Sequence, residues 1–351
     1  MLVPKRGLLF AAVLSLATAL RTSDARAADC VPRTSQSSCF DADPFHAPFA
    51  PSDFFGIPRG RAMADRTWSL GLDLTALHHP VVLHAPSPDP RGRDIDVVRD
   101  AFDGTLAVAG SPLRHLELGA ALPLAFYRTG TGLSGVTSQT GPDLPKAAFR
   151  DLRIGGGYDM FHAALRDRRT TISGIVRLDL SFPTGKASAF AGERSLVGEP
   201  AVDVEMRSGS LFGTFEERAR LRQPVVFGGQ ELGTQWLTSL GFGWNVLAPD
   251  HLSLALEAFV APYLAQPART LPDGTRVEPG AVMPSEWMFS VRSHLDAFLF
   301  GIGFGTAIPL SSEKRIAPSG TDSNESYAAV TSPAYRFAFT LRYAPPETAA
   351  R

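Results

Sequence analysis

The chain has 351 residues and a formal net charge of −1, with no block of like charge, so nothing in it favours a nucleic-acid partner. Hydrophobic residues make up 44%, as in any globular protein, so their arrangement carries the information. Four lysines against thirty arginines, with two asparagines, point to GC-rich coding more than to chemistry.

Lys5 and Arg6 form a basic start, Gly7 to Leu20 is an apolar run, and Ala25-Arg26-Ala27 supplies a small-x-small cleavage pattern. The run falls short of the roughly 20 residues that a membrane-spanning helix needs. Residues 1–27 therefore read as a signal peptide for export. Asp29 before Cys30 argues against a lipoprotein site. Cys30 and Cys39, the only cysteines, predict one local disulfide in an oxidising periplasm.

Residues 28–66 follow as a Phe/Pro-rich segment. Phe40, Phe45, Phe49, Phe54 and Phe55 alternate with Pro44, Pro48, Pro51 and Pro58, which forbids long helix or strand. Three readings stand: a hydrophobic plug in a lumen, a hold on a periplasmic partner, and a flexible leader. Five phenylalanines in so short a stretch tilt the balance toward a packed segment.

From residue 67 the period is two. In 298–310 Phe298, Phe300, Ile302, Phe304, Ile308 and Leu310 share one face, with Gly301, Gly303, Gly305 and Ala307 opposite. Large residues facing lipid and small ones facing a crowded interior fit a transmembrane barrel better than a soluble sandwich. Residues 172–182 and 234–247 repeat the alternation. Trp236 and Trp244 would stand about 20 Å apart along the membrane normal. Trp68, Trp236, Trp244, Trp287 and Tyr343 are the expected aromatic girdle.

Twelve strands are predicted, at 67–77, 102–110, 114–127, 149–161, 170–182, 197–207, 211–222, 234–247, 252–264, 284–294, 298–309 and 334–343. Connections after even strands are short. Those after odd strands, such as 128–148, 265–283 and 310–332, are long and rich in Gly, Pro, Ser and Thr. That parity is the signature of short periplasmic turns and long external loops. Turn 162–169 is the long exception. The fold is therefore all-β: a single antiparallel transmembrane β-barrel over 67–343, with a short tail at 344–351. Glu217 would face lipid under strict alternation, which predicts a bulge there. The last strand ends on Tyr343 near the C-terminus, resembling the signal read by barrel-assembly machinery.

The run Ser181-Phe182-Pro183-Thr184-Gly185, then Phe190-Ala191-Gly192-Glu193 and Glu199-Pro200, resembles barrels of delta-proteobacteria. These are the barrel halves of outer-membrane-protein-A-type proteins and the transporter family of the meta-pathway of phenol degradation. The resemblance covers roughly 67–343. It implies an outer-membrane barrel, with lipid and lipopolysaccharide around it and a small hydrophobic solute as cargo. The peptidoglycan-binding domain usual in the first group has no counterpart before Arg351.

No catalytic residue, metal set or cofactor is expected. Gly130-x-Gly132-x-x-Gly135 lacks the following helix that a dinucleotide fingerprint needs. His251, Ser253 and Glu257 share a strand face, yet His251 falls at the short-turn end, away from outer-leaflet lipid. His78, His79 and His84 are assigned to the first external loop, with no carboxylate or cysteine joining them before Asp89. Arg177, Asp179, Glu199, Asp203, Glu205, Glu216, Arg218, Arg220 and Arg222 point inward as a charge ladder. It either braces the lumen or forms the constriction of a pore, and near-cancelling signs favour bracing. The leading expectation is a channel or passive transporter for small, apolar or aromatic solutes. The alternatives are a structural or surface-exposed barrel and, third, a barrel-wall lipid hydrolase.

Overall fold

The computed structural model describes residues 37–85, 93–135, 144–165, 169–227, 230–247, 251–264, 269–270, 276–277, 283–310, 328–330 and 332–344. The proposed signal peptide, Cys30 and the end of the tail lie outside the described residues.

Twelve strands build the wall: β1 (Trp68–Ala85), β2 (Arg93–Leu113), β3 (Leu116–Thr129), β4 (Leu152–Ala164), β5 (Thr170–Phe182) and β6 (Val197–Ser208), then β7 (Leu211–Arg220), β8 (Gln235–Leu247), β9 (Leu252–Val260), β10 (Ser285–Leu295), β11 (Phe298–Ala307) and β12 (Tyr335–Tyr343). Each pairs antiparallel with the next, and β12 pairs with β1 from Leu70↔Tyr343 to His78↔Tyr335. The sheet closes on itself through the β12–β1 pair, so the wall has no unpaired edge strand.

Alternation decides which face each residue takes. On β12 Tyr335 and Phe337 are exposed, whereas Arg336, Ala338, Thr340 and Arg342 are buried. The wall thereby turns Leu240 (61% exposed) and Ile302 (62%) outward while Arg336 is fully buried. This inversion of the soluble pattern is stable only with hydrocarbon outside.

Turns at one end are tight. Arg114-His115, Gly209-Ser210 and Asp296-Ala297 join neighbouring strands, and His115, Gly209 and Asp296 take the left-handed conformation such turns use. The opposite end carries the long connections.

Three details differ from expectation. First, β1 and β2 run past the predicted ends, paired from Val81↔Val98 to Ala85↔Arg93 beyond a bulge near His79. His78, His79 and His84 therefore lie on a strand and not in a loop. Val81, Val82, Leu83, Val97 and Val98 are buried along this extension, so their apolar run lacks the period-two signature of a lipid-facing strand. Secondly, Glu217 causes no bulge. Its register runs on through Val202↔Glu217 and Thr238↔Glu217. Its carboxylate takes bonds from Trp236 Nε1 and from Thr238 Oγ1 at 3.0 Å, which lets the charge face outward. Thirdly, residues 221–234 carry a small hairpin, Val225–Phe227 with Gln230–Leu232.

Candidate functional site

The lumen is filled by residues of the proline-rich segment. Prolines leave it few internal backbone bonds, so its peptide groups must be met by the wall. Those nearest β1 are met by carboxylates. Met63 N donates to Glu117, Ala62 N to Asp159 and Gly60 N to Glu205, at 3.1, 2.6 and 3.0 Å. Glu257 takes both Phe55 N and Gly56 N at 2.8 and 2.9 Å.

Arginines meet the carbonyls. Arg177 donates to Arg59 O, Arg292 to Ser52 O and Arg153 to Ala47 O. Arg342 alone reaches Phe49 O, Ala50 O and Pro48 O at 2.8, 3.0 and 2.7 Å. Higher up, Arg220 Nη2 donates to His46 Nε2 at 2.7 Å. An arginine only donates, so that nitrogen is an unprotonated acceptor and the ring is neutral; its 3.5 Å approach to Glu199 is no ion pair in this arrangement. Arg336 holds Asp43 and Arg150 holds Asp41.

All of these guanidinia but Arg292 also keep a carboxylate partner in the wall. Arg342 pairs with Asp73, Arg336 with Glu286, Arg150 with Asp103, and Arg153 with Asp179. Arg177 binds Glu117 and Asp203, and Arg220 binds Glu199. A charge so paired is tolerable out of water; an unpaired one is not. Of the sequence-read ladder, Arg218 joins Glu199 to Glu216, and Arg222 reaches Glu193 in the loop after β5. Asp203 and Glu216 face each other across a strand pair, and Asp203 Oδ1 accepts no hydrogen bond among the described residues.

The glycines facing inward receive the segment's rings. A Cβ on Gly119 would lie 2.4 Å from Phe49 Cβ, and one on Gly155 2.6 Å from the Phe49 ring. Gly241 would meet the Phe54 ring at 2.6 Å, and Gly303 the Phe55 ring at 2.9 Å. Phe49 packs with Ala107, Ala109 and Ala121, Phe54 with Phe212 and Ala255, and Phe55 with Met288 and Ala338. Arginines lie over these rings: Arg153 over Phe49, Arg292 over Phe55 and Arg336 over Phe45, at 4.8, 4.4 and 4.4 Å. Sequence reasoning found the small inner face and the phenylalanines, but period two could not show that one fits the other.

Phe40 lies elsewhere. It joins Phe190 and Phe227 in a buried cluster with Cys39, Leu77, Val81, Leu83, Val97 and Val98 at the loop end. Arg128 supports that cap through Ala189 O, Phe190 O and Asp103. Asp151, just ahead of β4, accepts from Gly185 N and Glu193 N at 2.8 and 2.7 Å. Burial raises its carboxyl to about 7; the two N–H bonds work against this, and Asp41 and Glu193 add to it. The free spaces lined by both segment and wall are small, about 300, 260 and 360 Å³ with their open parts included.

The remaining candidates do not assemble. Glu257 is committed to the segment, whereas exposed His251 lies 3.2 Å from His294 O. His78 pairs with Asp100 at 2.7 Å and stacks on Tyr335, and no metal-ligand group gathers among the described residues. Gly132–Gly135 is a single 3₁₀ turn. Of the girdle residues, Trp68, Trp244 and Tyr343 stand near the turn end and Trp236 and Trp287 near the loop end, all outward.

No protein-family model matches the sequence, and no curated protein is significantly similar to it. Among solved structures, an outer-membrane channel of Pseudomonas putida F1 matches with TM-score 0.53 at 11% identity, over 84% of this chain and 99% of that one. The NanC porin gives 0.40 at 8%, over 78% and 98%. The Pseudomonas putida toluene transporter TodX gives 0.32 at 9%, over 81% and 90%. The likeness to the F1 channel, with the closed twelve-strand sheet and its apolar exterior, shows the fold of an outer-membrane β-barrel.

Proposed function

We propose that the chain is an outer-membrane channel for small solutes, apolar or aromatic ones among them, in a state closed by residues 37–63. One observation carries this reading: six of the arginines that hold the segment are already paired with carboxylates of the wall. Arg342, Arg336, Arg150, Arg153, Arg177 and Arg220 each keep a wall carboxylate, so the segment can leave without orphaning those charges. A filling needed only for stability has no reason to leave its scaffold neutralised. On this reading the charge ladder braces the wall, Phe45, Phe49, Phe54 and Phe55 act as plug while Phe40 holds the cap, and Cys39 is tied to Cys30. The meta-pathway transporter resemblance agrees with an aromatic cargo. Lipopolysaccharide and barrel-assembly machinery are the partners such a barrel would meet.

Conductance in planar bilayers tests the channel. The full chain should conduct little, and a chain lacking residues 37–58 should form steady open channels. No conductance from either would leave the structural barrel as the better reading. Its own support is the near cancellation of charge across the lumen.

A further inference from the structure

The niche that holds Phe55 differs from the other two in its polar groups. Its floor is Gly301 and Gly303, with Met288 and Ala338 beside the ring. Arg292 faces Gly301 across one strand pair and Thr340 faces it across the other; Ser290 and Ala338 flank Gly303 in the same way. Arg292, Ser290 and Thr340 are 3%, 1% and 1% exposed. Eight buried side-chain polar atoms lack a hydrogen-bond partner among the described residues, and three of them are Arg292 Nε, Ser290 Oγ and Thr340 Oγ1. Arg292 is also in no ion pair among the described residues, unlike the other buried wall arginines. Its Nη1 donates to Ser52 O, which leaves the Nε edge unused.

The Phe55 ring fills the shape of this slot and meets the Arg292 charge through its face, but it gives no hydrogen bond to Arg292 Nε, Ser290 Oγ or Thr340 Oγ1. Leaving three buried polar atoms unmet is costly. We propose that the Phe55 niche is a binding site for a small aromatic carboxylate, the ring lying on Gly301 and Gly303 and the carboxylate on the Nε edge of Arg292. Guanidinium and carboxylate match in this side-on geometry, with two parallel N–H bonds. Ser290 and Thr340 hydroxyls complete the site beside the ring. Phe55 is then the internal occupant that a solute must replace. The inference rests on the channel reading and names the solute class for it.

Phe55→Ala in the full chain opens the slot while the rest of the segment stays. Heat-modifiable mobility on a gel verifies the fold of each variant, and calorimetry in detergent measures binding of benzoate, toluene and cyclohexanecarboxylate. Benzoate should bind the Phe55→Ala chain at least about tenfold more tightly than the wild-type chain, in line with a charge-assisted bond gained in a buried site. It should also bind more tightly than the non-planar cyclohexanecarboxylate. Adding Arg292→Gln should weaken benzoate about tenfold and leave toluene unchanged. If that variant does not fold, Arg292→Lys keeps the charge, loses the fork, and should still weaken benzoate several-fold. Equal benzoate affinity in wild type and Phe55→Ala, or no loss on changing Arg292, overturns the proposal. Conductance is a separate readout: a chain that conducts but does not bind benzoate sinks only this inference, and one that binds but never conducts sinks only the channel.

Discussion

Arg342 shows how single side chains divide their work between wall and segment. It donates to three successive carbonyls and pairs with Asp73 at 2.6 Å. Arg342→Met should lower the temperature at which the compact gel band is lost, since it strands a buried carboxylate at a cost of about 3–5 kcal/mol. Adding Asp73→Leu should restore most of that loss, while residues 47–51 remain open to protease because their carbonyls still lack donors. Glycine niches give a second test. A Cβ at Gly119 would strike the Cβ of Phe49, which no rotamer change relieves. Gly119→Val should therefore expel the segment and make it protease-sensitive in an intact barrel. Gly209 has φ +59 and a Cβ added there would meet nothing within 4 Å among the described residues, so Gly209→Ala should cost only the backbone strain of about 1–2 kcal/mol and leave the segment protected.

Among the elements, the loop between β5 and β6 hangs on Asp151. An unfolded aspartate titrates near 3.9, whereas burial brings this one to about 7. A raised carboxyl favours the docked loop when protonated. Docking is thus at full strength below about pH 4 and declines until pH has risen through 7. Hydrogen exchange at Gly185 and Glu193, corrected for intrinsic rates, should show more opening at pH 8 than at pH 5. Asp151→Asn should abolish the difference, and a difference that persists would place the titration elsewhere. Strands were the part of the molecule most legible in the sequence, because one buried and one lipid-facing side force period two. The β1–β2 extension escaped notice since Val81, Val82, Leu83, Val97 and Val98 are buried and the bulge near His79 breaks the count. Glu217 misled because alternation registers a charge but not its neighbours Trp236 and Thr238. The inward glycines announced a crowded interior; what crowds it lies seventy residues or more away in sequence, beyond the reach of any local pattern.

The molecule as a whole has an unusual consequence of threading. Residue 66 joins β1 at the turn end, yet Ser37 N donates to Val226 O in the hairpin after β7, at the loop end. Asp41 bridges Ala191, and Ala42 N donates to Phe190 O in the same cap. Ser37, where the described part of the segment begins, and its junction with β1 thus lie at opposite mouths of the barrel. If the long loops face outward, as their parity with twelve strands requires, an epitope placed ahead of Ser37 in the exported chain is reachable on whole cells. One placed after Ala344, beside the turns, is reachable only after the outer membrane is permeabilised. Antibody labelling of intact and permeabilised cells reads this directly. Both tags silent on whole cells would mean either that the segment is withdrawn to the periplasm in the cell or that the tagged end stays covered. Repeating the labelling with Arg336→Ala, which removes the nearer of Asp43's two arginines and leaves Arg150 at 3.8 Å, separates those cases, because only a covered end becomes more accessible when the cap loosens.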